Sequence, residues 1–297
     1  MELRKYSPGK LNLVLNVLGR RPDGYHELET VLHPLGVHDV LYFETRAQGI
    51  ELTCTDPRLP TDERNLVYRA ARAFFEASGV RAGIRIHLEK QLPQGAGLGG
   101  GSGNAATTLL ALNECYGRPL EWTLLHALGA KLGADVPFFL GDRPALATGR
   151  GDCLEWLDWF PALRGCAFVV VHPGFGIPTP WAYAQLARFP EALHGQPGRA
   201  RGVIRALCGP DPRTAAAQFY NAFEAPAFEK YPVLALYRQF FEEHGALGAR
   251  MTGSGSAVFA VVPEERTGLQ MVEVLKGRFG ARLWTAVVPV RPAGSAG

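Results

Sequence analysis

The sequence predicts an α/β (α+β) protein of two domains. Its 297 residues are roughly twice the length of an average domain, and 47% of them are hydrophobic against 20% charged, enough to bury a substantial core without metal or disulfide staples. Strand-like patterns of period two alternate with helix-like patterns of period 3.6 along the chain. Composition changes between 155 and 165, where Pro161 and Gly165 separate two apolar stretches, which places a boundary between residues 1–158 and 159–297.

Residues 11–18 (LNLVLNVL) are apolar at most positions with Asn12 and Asn16 inserted, which suits a largely covered strand better than a helix, and it puts Lys10 and Asn12 on one face. The following RRPDGYHELET contains Pro-Asp-Gly, a turn in which Pro fixes one dihedral and Gly accepts positive φ, so Tyr25 and His26 fall on a loop. Strand-like pieces at 40–44 and 50–54 precede an amphipathic helix from Asn65 to Ala77, apolar at 66, 67, 70, 71, 74 and 75. Residues 83–89 alternate strictly, Ile84, Ile86 and Leu88 against Arg85, His87 and Glu89, as a half-exposed strand does. A glycine-rich loop follows at 93–104, then a helix from Asn104 to Cys115, and a second one marked by Leu124, Leu128 and Leu132 that Gly133 terminates. The second half opens on a strand at 167–172 and a Pro/Gly-rich loop (HPGFGIPTP). Helices are expected near 180–188, 213–221 and 231–244. ARMTGSGSAVFAVV reads as a Gly/Ser loop running into a strand, and the RPAGSAG tail as frayed.

The formal net charge of +3, with no run of Lys or Arg, lacks the basic footprint of a nucleic-acid-binding protein. Five cysteines (54, 115, 153, 166 and 208) form no CxxC pair and read as thiols in a reducing compartment. The N-terminal MELRKYSPGKLNLVLNVLG has charges at 2, 4, 5 and 10 and no long apolar core, unlike a signal peptide or anchor. Apolar runs such as Ala167 to Val171 are too short to span a bilayer. The expectation is a soluble, cytoplasmic protein with a small-molecule substrate and no nucleic-acid or membrane partner. Eight histidines without HxxxH or HExxH spacing point away from a protein-bound catalytic metal.

The loop LPQGAGLGGGSGNAATTLL places six glycines between 95 and 103 ahead of a strong helix. So much glycine costs conformational entropy and implies close backbone approach or positive φ. Successive free N–H groups at a helix N-terminus make an anion site suited to a nucleotide's polyphosphate. Gly95, Gly97 and Gly100 formally match the dinucleotide-binding GxGxxG. Against that stand an alternating rather than continuously apolar strand before the loop, Pro93 at the junction, and Glu114 inside a helix instead of at a strand end. No Lys-Ser/Thr pair follows the glycines, which excludes a Walker loop. Asp135, in GADVPFFL between a helix end and an apolar run, is a carboxylate that needs a partner. Lys10 is the natural candidate. Phosphoryl transfer to a hydroxyl asks for such a pair, a carboxylate to take the proton and a cation near the reacting oxygens; a half-buried ion pair or a turn cap at Asp135 are the other readings.

PGKLNLVL, LPQGAGLGGGSGNAA and ARMTGSGSAVFA, in that order and over nearly the whole chain, resemble the three motifs of the GHMP kinase superfamily. PGKLN, RPDGYHEL, LGADVPFFL and GIPTPWAY are similar to the branch of it that phosphorylates a cytidine-diphosphate-linked acceptor in the non-mevalonate route to isoprenoids. The resemblance implies a two-domain GHMP kinase fold with the active site in the interdomain cleft, ATP as phosphoryl donor with Mg²⁺ bound to it, and a monomer or weak homodimer. It implies Asp135 as base and Lys10 as the assisting cation. Nucleotide binding falls to Pro93, Gly95, Gly97, Leu98, Gly99, Gly100, Gly101, Ser102, Gly103 and Asn104, with Asn65 and Lys90 near the adenine. Ser102 and Asn104 are alternatively helix caps. Acceptor binding falls to Asn12, Tyr25, His26, Thr179, Tyr183, Gly253 and Ser254, with Tyr25 and His26 on one face of the cytosine and Tyr183 on the other; stacking of this kind is worth about 1–3 kcal/mol per base. Gly103 departs from the family, which usually has a second Ser there, and puts one hydroxyl contact in doubt. Homoserine, mevalonate and galactose kinases and a diphosphomevalonate decarboxylase share the motifs, and a non-catalytic nucleotide sensor on the same scaffold is the alternative from another class.

Overall fold

Two long strands organise the chain in the structure, a computed structural model that describes residues 2–290. β1 spans Glu2–Arg20 and β2 spans His26–Arg46, and they lie side by side in one sheet. Both outrun the apolar segments that announce them, because the polar residues that interrupt the pattern are buried and partnered. Asn16 Nδ2 donates to Glu29 Oε1 at 2.8 Å and to the Gln196 carbonyl at 2.8 Å, so neither residue has to end its strand at solvent. Between the strands, the Pro-Asp-Gly turn closes as expected, with Arg21 N–H on the Tyr25 carbonyl at 2.7 Å and Gly24 at φ +85°. His26 is thereby the first residue of β2 and not a loop residue.

The chain forms two compact units that interleave in sequence: 1–9, 37–92 and 99–142 make the first, and 10–36, 93–98 and 143–297 the second. The division does not follow a single cut, since β1 and β2 each supply residues to both units.

In the first unit, β3 (Ile50–Cys54) pairs parallel with β4 (Gly83–Glu89), separated by helix α1 (Leu66–Ser78). β4 also pairs antiparallel with Val40–Arg46 of β2. Its alternation is realised: Ile84, Ile86 and Leu88 are buried, as are Val67, Ala71 and Phe74 on the apolar face of α1. Helix α2 (Gly100–Cys115) packs on α1 and is covered on nearly every side, as its Ala- and Leu-rich sequence allows. It begins four residues before the expected Asn104, inside the glycine run. Helix α3 (Trp122–Leu132) ends at Gly133, and a 3₁₀ turn over Pro137–Leu140 buries the apolar run beyond it.

In the second unit, Leu28–Leu32 of β2 pair antiparallel with β5 (Ala145–Gly149), which pairs with β6 (Cys153–Trp156). There follow β7 (Ala167–His172) and the helices α4 (Thr179–Gln185), α5 (Pro190–Leu193), α6 (Arg199–Leu207) and α7 (Pro212–Ala217). The helix expected over 213–221 stops at α7, because Tyr220–Asn221 form the short strand β8, parallel to Val14–Leu15 of β1. After α8 (Glu224–Lys230) and α9 (Pro232–Glu243) come β9 (Gly248–Met251), β10 (Val258–Val262), α10 (Glu265–Phe279) and β11 (Trp284–Pro289). These build a second sheet in the order β11-β7-β10-β9, every pair antiparallel. Phe240 and Phe241 of α9 and Leu275 of α10 pack into the core that this sheet shares with Val169, Val171 and Ala260. The tail from 291 lies outside the described residues. Among the described residues, no helix is long and apolar enough to cross a membrane.

His33, on β2, is buried against Trp159, Phe160 and Phe168; Nδ1 donates to the Pro34 carbonyl at 2.7 Å, and Nε2 has no hydrogen-bond partner among the described residues. Burial pushes its pKa down from 6.5 to about 4, so the ring is neutral in the fold while the unfolded chain takes up a proton below pH 6.5. Stability should be unaffected by this group above pH 6.5 and fall by roughly 3 kcal/mol as pH drops from 6.5 to 4, at about 1.4 kcal/mol per unit. Urea unfolding across that window should show the slope in the native protein and a slope smaller by about one proton in His33→Phe.

Candidate active site

The sequence-predicted site residues fall into two groups, one in each unit. In the first, the glycine run enters α2 through Gly99, which is left-handed at φ +71°, and no side chain caps the helix. The leading N–H groups of α2, on Gly100, Gly101 and Ser102, are therefore left without a side-chain acceptor, the arrangement that suits a polyphosphate. Ser102 and Asn104 lie within the helix, which rules out their reading as caps. Gly103 is enforced by its neighbours: a Cβ there would stand 2.7 Å from the Pro8 carbonyl oxygen and 3.1 Å from Ser7 Oγ. Ser7 itself accepts from Asn104 Nδ2 at 2.9 Å, so this part of the loop is closed by β1 and a serine at 103 has no room.

Asn104 and Lys90 meet at a residue that the sequence reading passed over. Asp39, fully buried on β2, accepts from Lys90 Nζ, from Asn104 Nδ2 at 2.9 Å and from the backbone N–H of Gln91 and Leu92 at 2.7 and 2.9 Å. Lys90 Nζ also reaches Asn104 Oδ1 at 3.3 Å. One carboxylate thus ties the segment leading into the glycine loop to the first turns of α2. The only signal for it in the sequence is a lone acid in the apolar stretch VHDVLYF, a pattern shared by many strand-end carboxylates. Asn65 is the N-cap of α1, its Oδ1 accepting from Val67 N–H at 2.9 Å and its Nδ2 donating to the Pro60 carbonyl at 2.8 Å. Asp135 is half-buried in the turn between Gly133 and the 3₁₀ segment, as its position after a helix and before an apolar run implied.

In the second unit, Lys10 and Asn12 share a face of β1 and both are buried; Lys10 Nζ donates to Asn12 Oδ1. Asn12 Oδ1 also accepts from Gly253 N–H at 3.0 Å, its Nδ2 donates to Thr30 Oγ1 at 2.8 Å, and its N–H donates to Thr252 Oγ1 at 3.0 Å. The Gly/Ser motif near the C-terminus therefore holds the PGKLN motif through one amide. It also holds the leading part of the glycine loop. Ala257 N–H donates to the Ala96 carbonyl at 3.0 Å, and Lys10 N–H to the Leu98 carbonyl at 2.9 Å. Gly97, at φ +80°, lies so close that a Cβ would stand 2.1 Å from the Thr252 carbonyl oxygen. Pro93 is half-buried, and Gly95, exposed at φ +62°, accepts from Ile177 N–H. Thr252, adjacent to the predicted Gly253 and Ser254, was legible only as part of its motif.

The same unit gathers the aromatic residues. Tyr25 is exposed, and the Arg150 guanidinium, which also bonds Asp152, lies 4.9 Å from its ring centre. His26 and Tyr183 stack on one another with centroids 4.6 Å apart at 23°, and Tyr183 is braced edge-on by Phe223 at 4.8 Å. His26 and Tyr183 thus form one stack and leave no gap for a base between themselves, so of the three rings it is Tyr25 that stands exposed. Burial, then the positive charge of Arg20, lowers the His26 pKa, so its ring is neutral at neutral pH. Thr179, at the start of α4, lies 3.0 Å from Ser254, hydroxyl to hydroxyl.

The family descriptions that match are the GHMP kinases N terminal domain, over residues 65–142, and the GHMP kinases C terminal, over residues 203–281. A 4-diphosphocytidyl-2-C-methyl-D-erythritol kinase of Chlorobium chlorochromatii is 40% identical over 278 residues, 93% of this chain and 94% of that protein. A crystal structure of 4-(cytidine 5'-diphospho)-2C-methyl-D-erythritol kinase superposes with a TM-score of 0.80 at 37% identity, covering 97% of this chain and 99% of the other. Homoserine kinase from Cytophaga hutchinsonii gives a TM-score of 0.76 at 20% identity over 98% and 95%, which shows the shared fold alone. The resemblance read from the three motifs is borne out.

The Asp39 cluster has a measurable consequence. Replacing Asp39 by Asn leaves the Lys90 ammonium buried without its anion, a change that typically costs about 3–5 kcal/mol. Urea unfolding should show a loss of that order for Asp39→Asn, and the double variant Asp39→Asn/Lys90→Met should recover a substantial part of it.

Proposed function

We propose, from the premise that this chain belongs to the GHMP kinases and within them to the 4-diphosphocytidyl-2-C-methyl-D-erythritol kinases, that it transfers the γ-phosphoryl group of ATP to the 2-hydroxyl of 4-diphosphocytidyl-2-C-methyl-D-erythritol. The reaction belongs to the non-mevalonate route to isoprenoid precursors, and the cytoplasm is its proposed place. The observation that carries the reading is identity of 40% spread over nine-tenths of both chains, where the homoserine kinase of the same fold reaches 20%.

The chemistry follows from the residues in each unit. The hydroxyl proton passes to the Asp135 carboxylate as the hydroxyl oxygen bonds to the γ-phosphorus and the bond to the β-phosphate oxygen of ADP breaks. Lys10, oriented by Asn12, places its charge beside the oxygens that gain negative charge. The backbone of 93–104 and the N-terminus of α2 hold the phosphates, a role their N–H groups fit without any side chain. Mg²⁺ enters with ATP, held by phosphate oxygens and water. Asn65, Lys90, Ser102 and Asn104 shape the nucleotide side. Tyr25, with its exposed ring, and His26 and Tyr183, as one stack beside it, recognise the cytosine, while Asn12, Thr179, Gly253 and Ser254 line the acceptor side. We read 1–158 and 159–297 as the two sequence domains, and a monomer or weak homodimer as the working form.

A coupled ADP-release assay with Mg-ATP, offering the cytidine acceptor beside mevalonate, homoserine and galactose, should give turnover with the first alone; turnover with another acceptor overturns the acceptor assignment. Asp135→Asn should retain ATP affinity and lower kcat by about 10² to 10⁴. Tyr183→Ala, which removes the ring that His26 stacks on, should raise the acceptor KM by about 5- to 150-fold and leave the ATP KM unchanged.

A further inference from the structure

Two buried polar residues outside the three motifs converge on the Gly/Ser loop. Asn221, on β8 and 3% exposed, donates through Nδ2 to the Met251 carbonyl at 2.7 Å and to the Gly253 carbonyl at 2.9 Å, and its Oδ1 accepts from Phe223 N–H at 2.9 Å. Its side-chain donors are thereby both engaged, and its carbonyl is anchored to the start of α8. Three residues on, Glu224 accepts from Met251 N–H at 2.8 Å and from Arg238 Nη1 at 3.1 Å. Met251 is thus held at both its N–H and its carbonyl by one short segment, and Gly253 is held by its carbonyl. The opposite face of Gly253, its N–H, donates to Asn12 Oδ1, the atom that accepts from Lys10 Nζ.

We propose that Asn221, supported by Glu224, is a positioning residue for the phosphoryl-transfer reaction: it fixes Gly253, Gly253 fixes the Asn12 amide, and the Asn12 amide sets the Lys10 ammonium. The chain of contacts runs Asn221–Gly253–Asn12–Lys10 and lies wholly within the second unit. Asn221 touches neither phosphate nor acceptor in this scheme. Its two donors hold the Met251–Thr252 and Gly253–Ser254 peptides, which flank the Thr252–Gly253 peptide, and with both flanks fixed that middle peptide keeps its N–H on Asn12 in the orientation Lys10 needs. The assignment rests on the proposed role of Lys10 for its catalytic meaning, while the relay itself is a property of the folded chain.

Asn221→Asp is nearly isosteric; it replaces the two donors by an acceptor oxygen and sets a carboxylate against the Met251 and Gly253 carbonyls. In this variant kcat should fall about tenfold to a hundredfold, the range that buried carbonyls left without donors produce, with the ATP KM unchanged. Lys10 should at the same time become several-fold more reactive towards acetic anhydride, read by peptide mass spectrometry without any substrate present. Asn221→Ser, which keeps one donor, should lie between native and Asp on both readouts, and it decides the matter if the Asp variant does not fold. Native kcat and native Lys10 labelling in a folded variant overturn the proposal, as does a kcat loss with labelling unchanged. So does a lowered unfolding midpoint with full turnover per folded molecule. If the native protein fails to turn over the cytidine acceptor, the acceptor assignment falls, and Lys10 labelling still judges the relay.

Discussion

The side chain of Asn12 has one carbonyl and one amide, and three separated stretches of sequence depend on where they point. Lys10, Thr30 and the backbone at Gly253 all bond to it inside a strand that is covered on both faces. A buried amide of this kind must be satisfied completely or it costs more than an apolar residue would, so its neighbours have little freedom. The tight approach of Gly97 to Thr252 follows from the same arrangement. Once the Gly/Ser loop is drawn up to Asn12, the leading glycine loop runs directly against it, and only hydrogen fits at Gly97.

The two clusters of sequence-predicted residues use opposite physics. In the first unit a full negative charge, Asp39, is buried and neutralised by Lys90, Asn104 and two backbone N–H groups, so the entry to α2 is set by electrostatics in a low-dielectric surrounding. In the second, Asn12, Thr30, Thr252 and Gly253 are held by neutral amide and hydroxyl bonds, and His26 and Tyr183 stack on one another. The glycine loop joins the two regimes: its leading part is fixed by backbone bonds from 96 and 98, and its trailing part by the cluster around Asp39.

Much of this was legible in the sequence. The strict alternation of 83–89, the apolar stripe of α1 and the glycine run before a helix each carry a local physical signature, and the structure realises all three. What was not legible depends on partners distant in the chain. The Asn residues of β1 look like interruptions until Glu29 and Gly253 are seen to bond their side chains. The helix expected over 213–221 breaks because Asn221 is claimed by β1 and the Gly/Ser loop, and helix propensity is a weak prior against such contacts. α8 is short, and α10 is too polar on average for its periodicity to stand out. Gly103 shows the converse: a departure from the family pattern that reads as a lost hydroxyl is a position where the Pro8 carbonyl leaves room for no side chain.

The interleaving of the two units bears on the order in which a ribosome delivers the chain. The first unit is complete once residue 142 has emerged, whereas the second draws on 10–36, 93–98 and residues from 143 onwards. The Gly253 N–H that holds Asn12 is made 241 residues after it. Until then Asn12 lacks the N–H that fixes its carbonyl, and a polypeptide released before the Gly/Ser loop has been synthesised holds the Asp39 cluster and the start of α2 beside a Lys10–Asn12 pair with no anchor from that loop.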